Sequence, residues 1–126
     1  MATKVKKSRV QVPSGKVFIK SSFNNTLVTV TDLKGNVLAW GSAGARGFSG
    51  ARKSTPYAAS IAADDCMRRA KAAHNINEVD IFVSGVGSGR DSAVRAVGNA
   101  GVIVNLIKDT TPIPHNGCRA RKPRRV

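Results

Sequence analysis

The chain has 126 residues, 41% of them hydrophobic, with 21 Lys and Arg against 7 Asp and Glu, a net charge of +14 and a pI near 11.0. That size fits one domain with a modest core, and the lack of both a bilayer-length apolar run and a signal-type apolar stretch after the basic start predicts a soluble, unexported protein. The two cysteines, Cys66 and Cys118, share no CxxC spacing, which excludes a disulfide framework and a zinc knuckle and fits a reducing compartment.

Lys4, Lys6, Lys7 and Arg9 open the chain before any acid appears. Residues 1–14 therefore form a basic arm that cannot bury a core and stays disordered without a polyanion. From Lys16 to Ser42 the apolar residues alternate, Val17 with Ile19, Val28 with Val30 and Leu38 with Trp40, which is strand periodicity. Asn24-Asn25 and the stretch from Asp32 to Asn36 supply turn residues between the runs, so a three-stranded antiparallel meander is expected.

The segment 43–53 is rich in glycine and basic residues, and Ser54-Thr55-Pro56 then has the pattern of a helix cap followed by proline in the first turn. Ala59, Ala62 or Ala63, Cys66, Ala70 and Ala73 recur at helical spacing, with Asp64/Arg68 and Asp65/Arg69 paired at i,i+4 on the other side. Val79 to Ser84 reads as a strand, Gly85 to Arg90 as a loop, Asp91 to Asn99 as a short helix and Val102 to Ile107 as a last strand. The order β-β-β-α-β-α-β predicts an α/β fold with a mixed five-stranded sheet covered by two helices, because helices between later strands favour parallel crossovers. This body spans 15–110, and a second basic extension follows over 111–126, ending in Arg119, Arg121, Lys122, Arg124 and Arg125.

Two loops carry candidate chemistry. In the stretch from Gly41 to Pro56, Arg46, Arg52 and Lys53 can meet phosphates, Phe48 offers a stacking face and Ser54 stands at a helix N-terminus, where free N–H groups attract anions. Gly85-Val-Gly-Ser-Gly-Arg90 lies between a strand and a helix but matches neither the dinucleotide fingerprint, which needs glycine at position 90, nor the Walker spacing. Anion binding by the loop's backbone, with Arg90 beside it and Arg95 a turn later, stands against a plain strand-to-helix turn.

The same element order occurs in ribonuclease H-like nucleases, which require clustered carboxylates for two metals. Here Asp32 falls in a turn, Asp64 and Asp65 in helical pairs and Asp80 on a strand, while the first strand has no acid, so no catalysis and no metal or other cofactor is expected. His74 closes a helix and His115 has only Cys118 nearby. Aromatic residues are 5% of the chain and no strand carries a base-stacking signature, which places RNA contacts on loops, helix ends and arms. A general DNA-compacting protein is the remaining alternative to an RNA-binding scaffold.

Phe23-Asn-Asn-Thr26, Gly41-Ser-Ala-Gly44, Arg52-Lys-Ser-Thr-Pro56, Gly89-Arg90 and Thr111-Pro-Ile-Pro-His-Asn-Gly-Cys118 before a basic terminus closely resemble the family of small-subunit ribosomal protein eleven in its bacterial-type form. The resemblance runs from about Gly15 to Val126. It implies a non-catalytic ribonuclease H-like fold on the platform of the small subunit, bridging ribosomal RNA helices and lining the cleft for the messenger leader and its anti-Shine-Dalgarno partner. Implied neighbours are small-subunit proteins seven and eighteen, with initiation factor three nearby, in a ribosome of the cytoplasm or, alternatively, of an organellar matrix, and not as a homo-oligomer. Carried over by motif, the RNA-facing residues are Asn24, Asn25, Arg46, Arg52, Lys53, Ser54, Gly87, Gly89, Arg90, His115, Asn116, Arg119 and the later tail bases. The chain departs from the family pattern in two places. Val86 and Ser88 replace the two prolines of the glycine loop, leaving it less rigid before binding, and Arg46 stands where many relatives have a small residue or cysteine. Asn116-Gly117 is a candidate for isoaspartate formation, because glycine leaves the attacking amide unhindered.

Overall fold

A computed structural model describes residues 11–44 and 55–124. The elements are β1 (Ser14–Ser21), β2 (Thr26–Asp32), β3 (Val37–Ser42), α1 (Pro56–His74), β4 (Glu78–Ser84), α2 (Arg90–Asn99) and β5 (Ile103–Asp109). They build one five-stranded sheet in the order β3-β2-β1-β4-β5. The first three strands are antiparallel neighbours, as the alternation and turn residues predict, while β1 with β4 and β4 with β5 are parallel.

The turn between β2 and β3 is organised by Asp32. Its carboxylate accepts the Lys34 and Asn36 backbone N–H groups, each at 2.9 Å, and the Asn36 side-chain amide at 3.0 Å. These bonds, the Asn36 amide foremost, hold the Asp32 carboxyl below its ordinary pKa and tie it to the turn.

Helix α1 begins where the sequence signals place it. Thr55 caps it, its hydroxyl accepting the Ala58 N–H at 3.2 Å, Pro56 occupies the first turn, and Asn75 ends it in the left-handed region at φ 57°. Replacing Thr55 with Ala leaves an N–H orphaned and should cost about 1 kcal/mol, read as a fall of about 4–8 °C in the thermal midpoint. An unchanged midpoint would mean the cap is not formed. The buried face of α1 is Ala58, Ala59, Ala62, Ala63, Cys66, Met67 and Ala70. Small side chains let the helix lie close to the strands, to the point that the Cys66 thiol contacts the Val28 carbonyl at 3.7 Å. Burial pushes that thiol up to about 11, so Cys66 stays protonated at neutral pH. The expected Asp64–Arg68 and Asp65–Arg69 pairs form on the outer side, where solvent screening leaves ion pairs with little net effect on stability.

Val17, Ile19, Val28, Val30, Val79, Ile81 and Val83 line the core face of the sheet and meet α1 together with Ala93 and Val97 of α2. Val12, on the arm by the charge pattern, also joins this core, its N–H donating to the His74 carbonyl at 2.9 Å. The sheet order explains why both helices share one face. The β3-α1-β4 and β4-α2-β5 crossovers advance across the sheet in the same direction, and crossovers of the usual right hand then put both helices on the same side.

No element among the described residues covers the opposite face. Strand pairing sets Trp40, Thr29, Phe18, Phe82 and Lys108 side by side in one row across all five strands. Phe18 is 41% and Trp40 61% exposed. The Phe18 and Phe82 rings stack with centroids 5.3 Å apart, and Lys16 Nζ lies 5.8 Å from the Phe82 centroid. No helix among the described residues is long and apolar enough to cross a membrane.

Candidate nucleic-acid interface

The carboxyl ends of β1, β3, β4 and β5 lie at the same end of the sheet, and the candidate segments gather on that rim. The turn after β1 is a hydroxyl-centred loop: Ser22 Oγ accepts the Asn24 and Asn25 N–H groups at 3.3 and 3.1 Å, and the Ser22 N–H donates to the Asn25 carbonyl at 2.8 Å. Asn25 turns its side-chain oxygen inward to the Thr26 N–H at 2.9 Å, whereas Asn24 is exposed. Between Ser22 and Asn24 stands Phe23, 76% exposed. An exposed ring at this rim is a stacking surface that the charge pattern does not reveal; the tetrapeptide around it was the available signal.

The glycine loop after β4 lies directly against this turn. Gly85 has φ +92°, and a Cβ built on it would fall 1.9 Å from the Ser21 carbonyl oxygen. At Gly87 the same atom would sit 2.1 Å from Ser21 Oγ and 2.2 Å from the Ser22 oxygen, and Gly89 abuts Thr26 and Ala59. These glycines are therefore needed for the chain to approach itself, whatever else it approaches. The Ser21 and Thr26 hydroxyls, buried beneath the loop, have no hydrogen-bond partner among the described residues.

Arg90 is engaged internally. Its guanidinium donates to the Gly85 carbonyl at 2.8 Å and to the Asp109 carboxylate at 2.6 Å. Asp109 also accepts the Thr111 hydroxyl at 2.6 Å and the Thr111 N–H at 2.9 Å, and Thr111 Oγ1 in turn accepts the Gly85 N–H at 3.1 Å. The cluster bolts the glycine loop to the first residues of the C-terminal extension and sets where that extension leaves the body. The Thr111 hydroxyl and then Arg90 hold the Asp109 carboxyl well below the usual carboxylate range.

Because the folded value lies below the ordinary 3.8, the latch is fully formed above that pH and is lost as acid takes the carboxyl through its folded value. Asp109→Asn should free Thr111 and Gly85 at neutral pH. Amide exchange at those two residues is expected to rise several-fold while the helix amides stay protected. Uniform exchange in the variant and the native protein would exclude the latch.

The stretch 45–54 lies outside the described residues, and with it Arg46, Arg52, Lys53 and Ser54; so do Lys4, Lys6, Lys7, Arg9 and Arg125. The chain nevertheless enters and leaves 45–54 at the rim. The Ala43 N–H donates to the Thr26 carbonyl at 3.2 Å, and Thr55 starts the helix whose Ala59 touches Gly89. Beyond Thr111, His115, Asn116, Arg119, Arg121, Lys122 and Arg124 are exposed, with Asn116 in the left-handed region at φ 57°.

The rim is thus a place where three chain segments meet and cationic ones begin and end. A cleft of about 740 Å³ lies at the other end of the sheet, lined by Gln11, Val12, Pro13, Asp32, Leu33 and Lys34 among others. Among the described residues no group of three or more His, Cys, Asp or Glu is placed to hold a metal ion. A family model for ribosomal protein S11 matches residues 15–125.

Proposed function

The chain belongs to the ribosomal protein S11 family, and from that premise we propose that it clamps separate segments of small-subunit ribosomal RNA between its rim and its two basic arms. Membership makes it a structural protein of the small ribosomal subunit that binds ribosomal RNA and works within the ribosome. The finer reading is a non-catalytic ribonuclease H-like domain on the platform. There it bridges RNA helices and forms part of the cleft for the messenger leader, in contact with small-subunit proteins seven and eighteen and close to initiation factor three, in a ribosome of the cytoplasm or of an organellar matrix.

One observation carries this reading: the turn 22–25, the glycine loop and the root of the C-terminal extension converge on one edge, where the basic stretch 45–54 also starts and ends. Backbone groups and cations from separate segments suit recognition of a folded RNA by shape and phosphate placement. Within it, exposed Asn24 is offered at the rim, buried Gly87 and Gly89 let the loop close onto the turn and contribute through its backbone, and Arg46, Arg52, Lys53 and Ser54 are assigned to phosphates from the sequence. Lys4, Lys6, Lys7 and Arg9 at one end, and His115, Asn116, Arg119, Arg121, Lys122, Arg124 and Arg125 at the other, are the cations and polar groups assigned to further RNA segments. Asn25 and Arg90 contribute by holding the turn and the loop in shape. Asn116, exposed and followed by glycine, is the position for isoaspartate formation, and peptide mapping of mature particles would reveal it.

The test is to follow the protein in a cell extract fractionated by density. It should sediment with the small subunit and remain there when the subunits are separated. Recovery as free protein, or with the large subunit alone, would overturn the reading.

A further inference from the structure

The uncovered sheet face carries three exposed or half-exposed aromatic rings and three lysines that the rim does not use. Composition argues against a base-stacking sheet, since no single strand has more than one of these rings. The register changes that conclusion by placing Phe18 directly beside Phe82 and, across Thr29, two strand spacings or about 10 Å from Trp40.

Charge on this face is ordered. Lys20 stands one step from the rings toward the rim, Lys108 shares their row, Lys16 stands one step beyond it opposite Asp80 with Nζ 5.8 Å from the Phe82 centroid, and Glu78 is farther still. Phe23, in the turn that follows β1 at the rim, is a further exposed ring. A polyanion passing from the rim onto the sheet therefore finds Lys20, then the rings with Lys108 in their row, and meets the acids of this face, Asp80 and Glu78, only past the rings.

We infer that the open face binds unpaired RNA bases, which stack on Trp40 and on the Phe18–Phe82 pair while Lys16, Lys20 and Lys108 take the adjoining phosphates. Exposed rings interleaved with lysines are the chemistry of single-strand platforms, where every base has a face to offer and sequence matters little. The inference rests on the reading of the protein as an RNA binder and adds where bases, as distinct from phosphates, are held.

Trp40 is the single tryptophan, so its emission reports this face. The full chain is titrated with a single-stranded RNA of about a dozen nucleotides and with inorganic polyphosphate of matched charge. RNA should quench Trp40 and polyphosphate should not. Phe18→Leu, at a half-exposed position that tolerates the change, should weaken RNA binding about five- to tenfold, in line with base–aromatic stacking, and leave polyphosphate binding unchanged. A photo-reactive benzoylphenylalanine in place of Phe18 should crosslink to RNA in assembled small subunits. RNA binding with unaltered Trp40 emission and unaltered affinity of the Phe18→Leu variant would overturn the inference and leave the RNA-binding reading intact. Crosslinking to protein would assign the face to a protein neighbour instead. Absence of any RNA binding would remove both.

Discussion

Gly85→Ala should lower the stability of the free protein by about 3 kcal/mol, from the penalty of the left-handed backbone together with overpacking. The residue sits at φ +92°, and the added methyl would lie 1.9 Å from the Ser21 carbonyl oxygen and 2.9 Å from its carbon. Neither neighbour can yield, because Ser21 is the last residue of β1, paired with Thr26 on β2. Relief would require the loop to lift, and lifting it breaks the Gly85 bonds to Thr111 and Arg90.

Against a typical total of 5–15 kcal/mol, such a loss puts the variant close to unfolding at physiological temperature. Thermal unfolding of the free protein, followed by circular dichroism, should show the midpoint falling by more than about 10 °C. Gly98→Ala is the matched control. That glycine is inside α2 with nothing within 4 Å of an added Cβ, and Ala there should stabilise the helix by up to about 1 kcal/mol. Equal midpoints for Gly85→Ala and the native protein would refute the packing described for the loop.

The second large effect concerns salt. Neutralising on the order of six to ten phosphates should make RNA affinity fall ~10³- to 10⁵-fold between 50 and 200 mM salt, as counterions released on binding are harder to release into a concentrated solution. The chain's +14 charge, concentrated in its two ends and the 45–54 stretch, is large enough to neutralise that many. Filter binding or fluorescence anisotropy across that range measures the slope directly. Removing residues 119–126 should flatten the slope by up to about 0.9 for each phosphate of a duplex that the tail no longer neutralises, while the thermal midpoint stays put because residues 119–124 are exposed and add no element to the sheet. A flat salt profile would rule out phosphate binding as the source of affinity. A tail deletion that left the slope unchanged would confine it to the rim and the other arm.

Most elements were legible because their signals are local. Alternation along β1, β2 and β3 follows from the two-residue repeat of an extended backbone, and Thr55-Pro56 marks a helix start by the chemistry of its first turn. The last strand was less legible. Alternation of apolar residues ends it at Ile107, yet it runs to Asp109 because Lys108 and Asp109 pair with Phe82 and Val83. Polar residues on an exposed edge strand leave no mark in hydropathy. The role of Arg90 was hidden for a related reason: beside a glycine loop it reads as a phosphate ligand, but the carboxylate that engages it is 19 residues away.

By itself the sequence determined the class of partner, the two basic ends, the order of elements and the family to which the motifs point. Charge, period and turn chemistry act within a few residues of one another and survive in any conformation. Only the tertiary structure decided which glycines are required by packing, where the C-terminal extension is fastened, and that no element among the described residues covers one face of the sheet. Those outcomes depend on strand order, crossover hand and register. Shifting β1 by one residue against its neighbours would turn Phe18 into the core and Val17 out of it, and the aromatic row would not exist.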